Sequence, residues 1–110
     1  MRTTRRLPSL DLIRGFEAAA RQMSFTRAAA ELHVTQSAVS RQIKTLEDDL
    51  GAKLFTRLNR ALKLTSEGEA LYVTARSVMR QLEEATARLS ARGDERLLTV
   101  TTTVSFAALW

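Results

Sequence analysis

The sequence predicts a mainly α-helical chain: a group of short helices with a small β-hairpin behind them, then one long helix. Three observations predict it. Apolar residues recur at near-helical spacing over residues 9–23 and again over 36–50, the signature of amphipathic helices. A further short helix, 24–32, is separated from the one after it only by His33-Val34-Thr35, and two helices joined by so tight a turn form a helix-turn-helix. Finally, Leu71, Ala75, Val78, Leu82, Ala85 and Leu89 fall at spacings of 4, 3, 4, 3 and 4, the seam of a coiled coil. With the hairpin read as a wing, the fold class is mainly α: a winged helix-turn-helix followed by a long dimerising linker helix.

The elements follow in chain order. Residues 1–7 form a basic arm whose Arg2, Arg5 and Arg6 either brush phosphates or stay solvated. Pro8 and Ser9 open the first helix, residues 9–22, with Leu10, Ile13, Phe16, Ala19, Ala20 and Met23 facing the core. Gly15 costs this helix some stability and permits close packing. Ser24 caps the second helix, whose buried side carries Ala28, Ala29 and Leu32. His33 takes the turn position often held by Gly, because His tolerates left-handed backbone. It is the only histidine, and the sequence supplies no partners for a catalytic or metal role.

The third helix runs between Thr35, a good N-cap, and Gly51, a good terminator. Val39, Ile43, Leu46 and Leu50 make its apolar stripe. Gln36, Ser40 and Lys44 lie four apart on another face, with Ser37 and Arg41 beside them. Gln, Ser and Arg are side chains able to read base edges in a major groove; the plain alternative is a solvated polar face. Glu47, Asp48 and Asp49 crowd the last turn, where the helix dipole disfavours anions. A helix whose N-terminal half enters a groove while its tail leaves fits that charge order.

Past Gly51 the pattern alternates. Leu54 and Phe55 start one strand, Leu62 and Leu64 lie on one face of the other, and Leu58-Asn59-Arg60-Ala61 forms the turn. The hairpin carries Arg57, Arg60 and Lys63. It is either a wing reaching phosphates or a minor groove, or merely solvated. Thr65 caps the long helix, residues 66–91, about 40 Å at 1.5 Å per residue. That exceeds what the head can cover, so the seam needs a second copy. Arg92-Gly93-Asp94-Glu95 is expected to break the helix, and residues 97–104, LLTVTTTV, are strand-like. The sequence stops at Trp110 in mid-pattern, as the front of a longer protein would.

Composition narrows the function. The 110 residues suit one domain, or one with an extension. There is no cysteine, so no disulfide framework or thiolate zinc site is expected. No apolar run suits a membrane span and no signal peptide is visible, so a cytoplasmic location is expected. Residues 1–64 hold twelve Lys and Arg against six Asp and Glu, while residues 65–110 hold five against six; the net +5 is thus +6 and −1. The basic excess surrounds the helix-turn-helix, as expected of a nucleic-acid binder.

These residues together resemble the N-terminal domain of LysR-type transcriptional regulators. The signature is FEAAARQMSFTRAAAELHVTQSAVSRQIKTLEDDLGAKLFTRLNRALKLTSEGEAL, nearly continuous over residues 7–71. The wording LPSLDLIRGFEAAARQMSFTRAA further resembles the branch that contains glycine-cleavage activators and β-lactamase regulators. The resemblance implies a winged helix-turn-helix over residues 1–65, a dimerising helix over 66–92, and over 93–110 a hinge and the first strand of a truncated effector-binding domain. It also implies double-stranded DNA and a second copy of the chain as partners, with tetramers in full-length members. A small-molecule effector is implied only for the missing C-terminal domain. Gln36, Ser37, Ser40 and Arg41 would face bases or neighbouring phosphates. Thr26, Thr35 and Lys44 would hold the backbone, with Arg57 and Arg60 on the wing. Many members have Pro where this chain has Ser37, which leaves the base preferred there open.

Three functions remain in competition at this point: a sequence-specific DNA binder, a nonspecific architectural one, and a coiled-coil module that binds no DNA. The ordered Gln36, Ser40 and Arg41 row argues against the second, and the division of charge against the third. Catalytic, metal and cofactor sites are all expected to be absent, because Glu47, Asp48 and Asp49 splay round a helix and converge on nothing.

Overall fold

The computed structural model describes residues 7–59 and 61–97, with side-chain surroundings up to residue 91. Three helices come first: α1 (Leu10–Gln22), α2 (Phe25–Leu32) and α3 (Gln36–Leu50). An antiparallel hairpin, β1 (Phe55–Leu58) and β2 (Ala61–Leu64), precedes α4 (Ser66–Leu97). Packing divides the chain into a head ending at Ser77 and a second unit beginning at Val78. The expected boundary after residue 65 marks a change of secondary structure; the head itself takes in the first turns of α4.

Hydroxyls fix each helix start. Ser9 Oγ accepts from the Leu12 N–H at 3.2 Å, Ser24 Oγ from Arg27 at 3.0 Å, Thr35 Oγ1 from Ala38 at 3.1 Å and Thr65 Oγ1 from Gly68 at 2.9 Å. Each satisfies a donor the helix would otherwise leave unpaired, worth about 1 kcal/mol. The first three helices end on left-handed residues, Met23, His33 and Gly51, at φ of 51°, 61° and 70°. His33 therefore fills the turn as its chemistry allows, its N–H reaching back to the carbonyls of Ala29 and Ala30.

Phe16, Val39, Leu46 and Leu54 form the fully buried centre of the head. α2 and α3 both pack on α1, and residues 15–20 of α1 are all buried. Its buried surface is therefore wider than one stripe. Leu10 and Met23, expected in the core, are exposed, since they sit at the first position and the C-cap of α1, where the described residues cover only part of each. Phe55 joins the hairpin to this core: its ring lies 5.6 Å from Phe16, tilted by 59°, and 5.4 Å from Phe25, edge-on at 86°.

Polar clasps hold the elements together. Arg21 Nε donates to Glu17 at 2.8 Å along α1, while its other arm reaches Glu31 of α2 at 2.6 Å. Gln22 donates to the same Glu31 at 2.8 Å. The hydrogen bond from Arg21 holds the Glu31 carboxyl below its ordinary 4.5. Glu17 first, then Glu31, raise the Arg21 guanidinium above its usual range. Further along, Glu47 Oε2 accepts from the N–H groups of Leu54 at 2.9 Å and Phe55 at 3.4 Å, anchoring the hairpin to the end of α3. Thr65 binds the other strand end, its hydroxyl donating to the Lys53 carbonyl at 2.6 Å and its N–H to that of Leu54 at 3.0 Å.

The hairpin pairs Phe55 with Leu64 and Leu58 with Ala61, so its turn lies where the sequence places it. Asn59 has φ 52°, the positive value that tight hairpin turns require; Arg60 lies outside the described residues. Gly68 lets α4 approach this hairpin. A Cβ there would run into the Leu54 carbonyl oxygen and sit 2.9 Å from Leu64 Cδ2.

α4 continues to Leu97, through the Arg92-Gly93-Asp94-Glu95 stretch expected to break it. One interior glycine costs a helix only about 1 kcal/mol, and the Arg and Glu residues nearby favour helix. Of the expected strand over 97–104, Leu97 ends α4 and the rest lies outside the described residues, as do Arg2, Arg5 and Arg6. No helix among the described residues is long and apolar enough to cross a membrane.

Candidate nucleic-acid interface

Burial separates the two faces of α3. Val39, Ile43 and Leu46 are buried in the head and Leu50 is half-buried. Gln36, Ser37, Ser40, Arg41 and Lys44 are all exposed. The expected reading row is thus one continuous outward surface on a helix held rigid by its opposite face. At its N-terminus Thr35 Oγ1 lies 3.2 Å from Ser37 Oγ as well as capping Ala38, which fixes both hydroxyls at the helix start.

The flanking residues close round the same end. Thr26, the second residue of α2, is exposed. It lines a shallow hollow of about 200 Å³ together with Phe25, Gln36, Arg57 and Leu62. Thr26, Gln36 and Arg57 lie far apart in sequence, and the structure brings all three to this hollow. Arg57 does not hang free on the wing: its guanidinium carbon sits 5.4 Å from the centre of the Phe25 ring. Arg60 falls outside the described residues. On the other flank of α3, Arg41 borders a second hollow, of about 270 Å³, with Leu12 and Thr45.

Charge on this surface is net positive where it matters. Lys44 lies 3.6 Å from Asp48, but both are well exposed, so the pair is weak and open to exchange for a phosphate. Glu47 is turned inward onto the hairpin, which withdraws one of the three acids at the end of α3 from the surface. Among the described residues no group of three or more His, Asp or Glu could hold a metal.

The seam of α4 is divided between the two units. Ala75 is 2% exposed and belongs to the head's core, with Leu71 packed against it. Past Ser77, Val78, Leu82 and Leu89 are 37%, 41% and 67% exposed, and Ala85 is half-buried. Six residues expected to share one interface are therefore two that the head covers and four that lie beyond it.

Sequence reasoning missed Phe25, the Glu47 anchor and the Arg21 clasp. The i, i+4 spacing of Glu17 and Arg21 was a visible signal for the last. The reach of Glu47 to Leu54 and of Arg57 to Phe25 left none, because each joins separate elements.

This geometry matches a known family. The profile described as "Bacterial regulatory helix-turn-helix protein, lysR family" matches residues 10–69. The chain belongs to that family. It is 54% identical over 107 residues to the glycine cleavage system transcriptional activator of Escherichia coli, covering 97% of this chain and 35% of that protein. It is 63% identical over 62 residues to the HTH-type transcriptional activator AmpR of Pseudomonas aeruginosa, covering 56% of this chain and 21% of that protein. Among solved structures, the DNA-binding domain of BenM bound to its catB site 1 DNA superimposes with a TM-score of 0.70 at 33% identity. That match covers 77% of this chain and 96% of that one. DarR of Vibrio fischeri in complex with DNA gives 0.68 at 31% identity, covering 81% of this chain and 30% of that one. This LysR-family chain has the winged helix-turn-helix fold of those DNA-binding domains, and it spans 35% of the length of the curated relative in Escherichia coli.

Proposed function

We propose that this chain is the sequence-specific DNA-binding part of a LysR-type transcriptional regulator. The observation that carries the reading is the exposed row Gln36, Ser37, Ser40 and Arg41 on a helix whose other face is locked into the core. A major groove admits such a helix, and these side chains carry the donors and acceptors that distinguish base pairs. Thr26, Thr35 and Lys44 hold phosphates on either side. Arg57 and Arg60 extend the contact along the wing. The structures of BenM and DarR in complex with DNA support the assignment by their likeness to this fold.

The chain acts as a homodimer through α4, with Val78, Leu82, Ala85 and Leu89 forming the shared seam and Leu71 and Ala75 fixing the helix to each head. Two heads then meet two half-sites, and full-length assemblies extend to tetramers. The protein works in the cytoplasm as a binding protein, not an enzyme, and a small-molecule effector acts through sequence beyond this chain.

Selection of bound sequences from random duplex tests the reading, because it returns both the half-site and its spacing. Specific sites are expected to outcompete scrambled duplex by about 10³–10⁷. Arg41→Ala and Gln36→Ala should each weaken the selected site by roughly 1–3 kcal/mol while leaving the fold intact. Equal loss on scrambled duplex would reduce both residues to phosphate holders, and no enrichment of any sequence would leave a nonspecific binder.

A further inference from the structure

A line of aromatic rings runs from the centre of the head to the face proposed to bind DNA. Phe16 is fully buried, Phe55 lies 5.6 Å from it, and Phe25 stands edge-on to Phe55 at 5.4 Å. Over the Phe25 ring lies the Arg57 guanidinium, its carbon 5.4 Å from the ring centre. A cation within about 6 Å of a ring centre is attracted by the negative face of the π system. The placement follows from chain geometry. Arg57 is two residues after Phe55 on β1, so both side chains leave the strand on the same face, and that face turns toward Phe25 at the start of α2.

Phe25 itself is only 8% exposed and its ring is fixed by packing. Arg57 is exposed, and an exposed arginine ordinarily samples many rotamers. No carboxylate among the described residues pairs with it. The ring is therefore what holds the guanidinium over the hollow it shares with Thr26 and Gln36.

We propose that Phe25 is a positioning residue for DNA binding: its ring presents the wing's Arg57 beside the N-terminus of α3, so that the wing and the recognition helix grip one stretch of duplex together. The role rests on the reading of this face as the DNA surface. A pre-placed guanidinium loses less freedom on meeting a phosphate or a groove than a mobile one does, and that difference is the contribution of Phe25.

The test replaces Phe25 in the whole chain with mono-, di- and trifluorinated phenylalanine. Fluorine weakens the negative ring face stepwise while nearly preserving the ring's shape. Affinity for the selected duplex should fall at each step, by about two- to five-fold in total, with the chain folded throughout. Phe25→Tyr should retain affinity. In an Arg57→Ala background fluorination should have no further effect. An affinity that ignores fluorination while Arg57→Ala weakens binding would leave Phe25 a packing residue and overturn the proposal. The same decline with and without Arg57 would overturn it too, since the effect would then travel through the fold. An Arg57→Ala variant that binds as wild type does would remove the wing cation and the proposal together, yet leave the recognition helix standing. Only failure of the unaltered chain to prefer any duplex would strike the DNA reading itself.

Discussion

Within the head, Leu71 and Ala75 of α4 lie against the core that also holds Phe55 and Leu54. In the second unit, Val78, Leu82 and Leu89 of the same helix and the same heptad stay exposed. One sequence pattern thus has two fates. In the head the apolar stripe is already satisfied by neighbours in the chain; beyond Ser77 it is not. Periodicity reports that a stripe exists, and only packing reports what covers it. We propose that the first two seam positions serve stability and the remainder assembly, and each role is open to a direct test.

The largest expected effect is at Leu82. Burying a large aliphatic side chain is worth about 1.5–3 kcal/mol, and a lysine at the seam's middle adds a charge with no partner. Leu82→Lys should give monomers by sedimentation while the head keeps its thermal transition. Untethering the heads should lower affinity for a two-half-site duplex by about 10²–10⁴, with little change on a single half-site. A variant that stays dimeric would place the interface elsewhere. A wild type that sediments as a monomer at tens of micromolar would end the assembly half of the comparison.

A glycine in each unit gives a smaller contrast with opposite signs. Gly68 faces the Leu54 carbonyl oxygen, where an added Cβ collides with backbone that cannot step aside. Gly68→Ala should therefore destabilise the head by about 1–3 kcal/mol, as overpacking does, despite alanine's better helix propensity. Gly93 lies within the helical part of the second unit, where Gly93→Ala should gain up to about 1 kcal/mol of helix propensity. Denaturant midpoints of the two variants decide the matter, and a stabilised Gly68→Ala would show that α4 does not press on the hairpin.

These two glycines also mark where the sequence was legible and where it was not. Local chemistry was readable: Ser24, Thr35 and Thr65 cap the helices they precede, His33 turns the chain left-handed, and the hairpin turns just past Leu58, where Asn59 has a positive φ. The exposed row of α3 was readable because a helix fixes which residues share a face. Gly93 was misread because a single breaker was weighed without its helix-forming neighbours. Contacts between elements were invisible: nothing near Glu47 announces Leu54, and nothing near Arg57 announces Phe25, because tertiary packing alone brings them together. Leu71 and Ala75 belong with these, their cover coming from residues with no periodic relation to them.

The smallest effect lies wholly within the head, at the clasp between α1 and α2. Arg21 holds the Glu31 carboxyl below its ordinary 4.5. A carboxylate depressed in the folded state binds fewer protons there than when unfolded, so stability rises with pH between the two values. The contribution of Glu31 is therefore complete above about pH 4.5 and is lost as pH falls through its lower folded value. Glu31→Gln should remove that portion of the acid slope. At neutral pH the cost should be under about 1 kcal/mol, because both partners are partly exposed and solvent screens the pair. Lowering the pH should then close the gap between variant and wild type, as the wild-type carboxyl becomes neutral too. Thermal unfolding followed at neutral and acid pH reads both features, and sedimentation at neutral pH should find the proposed dimer unchanged, since the seam from Val78 onward takes no part in the clasp. A gap that widened in acid would mean that Glu31 stabilises the head in its protonated form, against the direction that the Arg21 contact imposes.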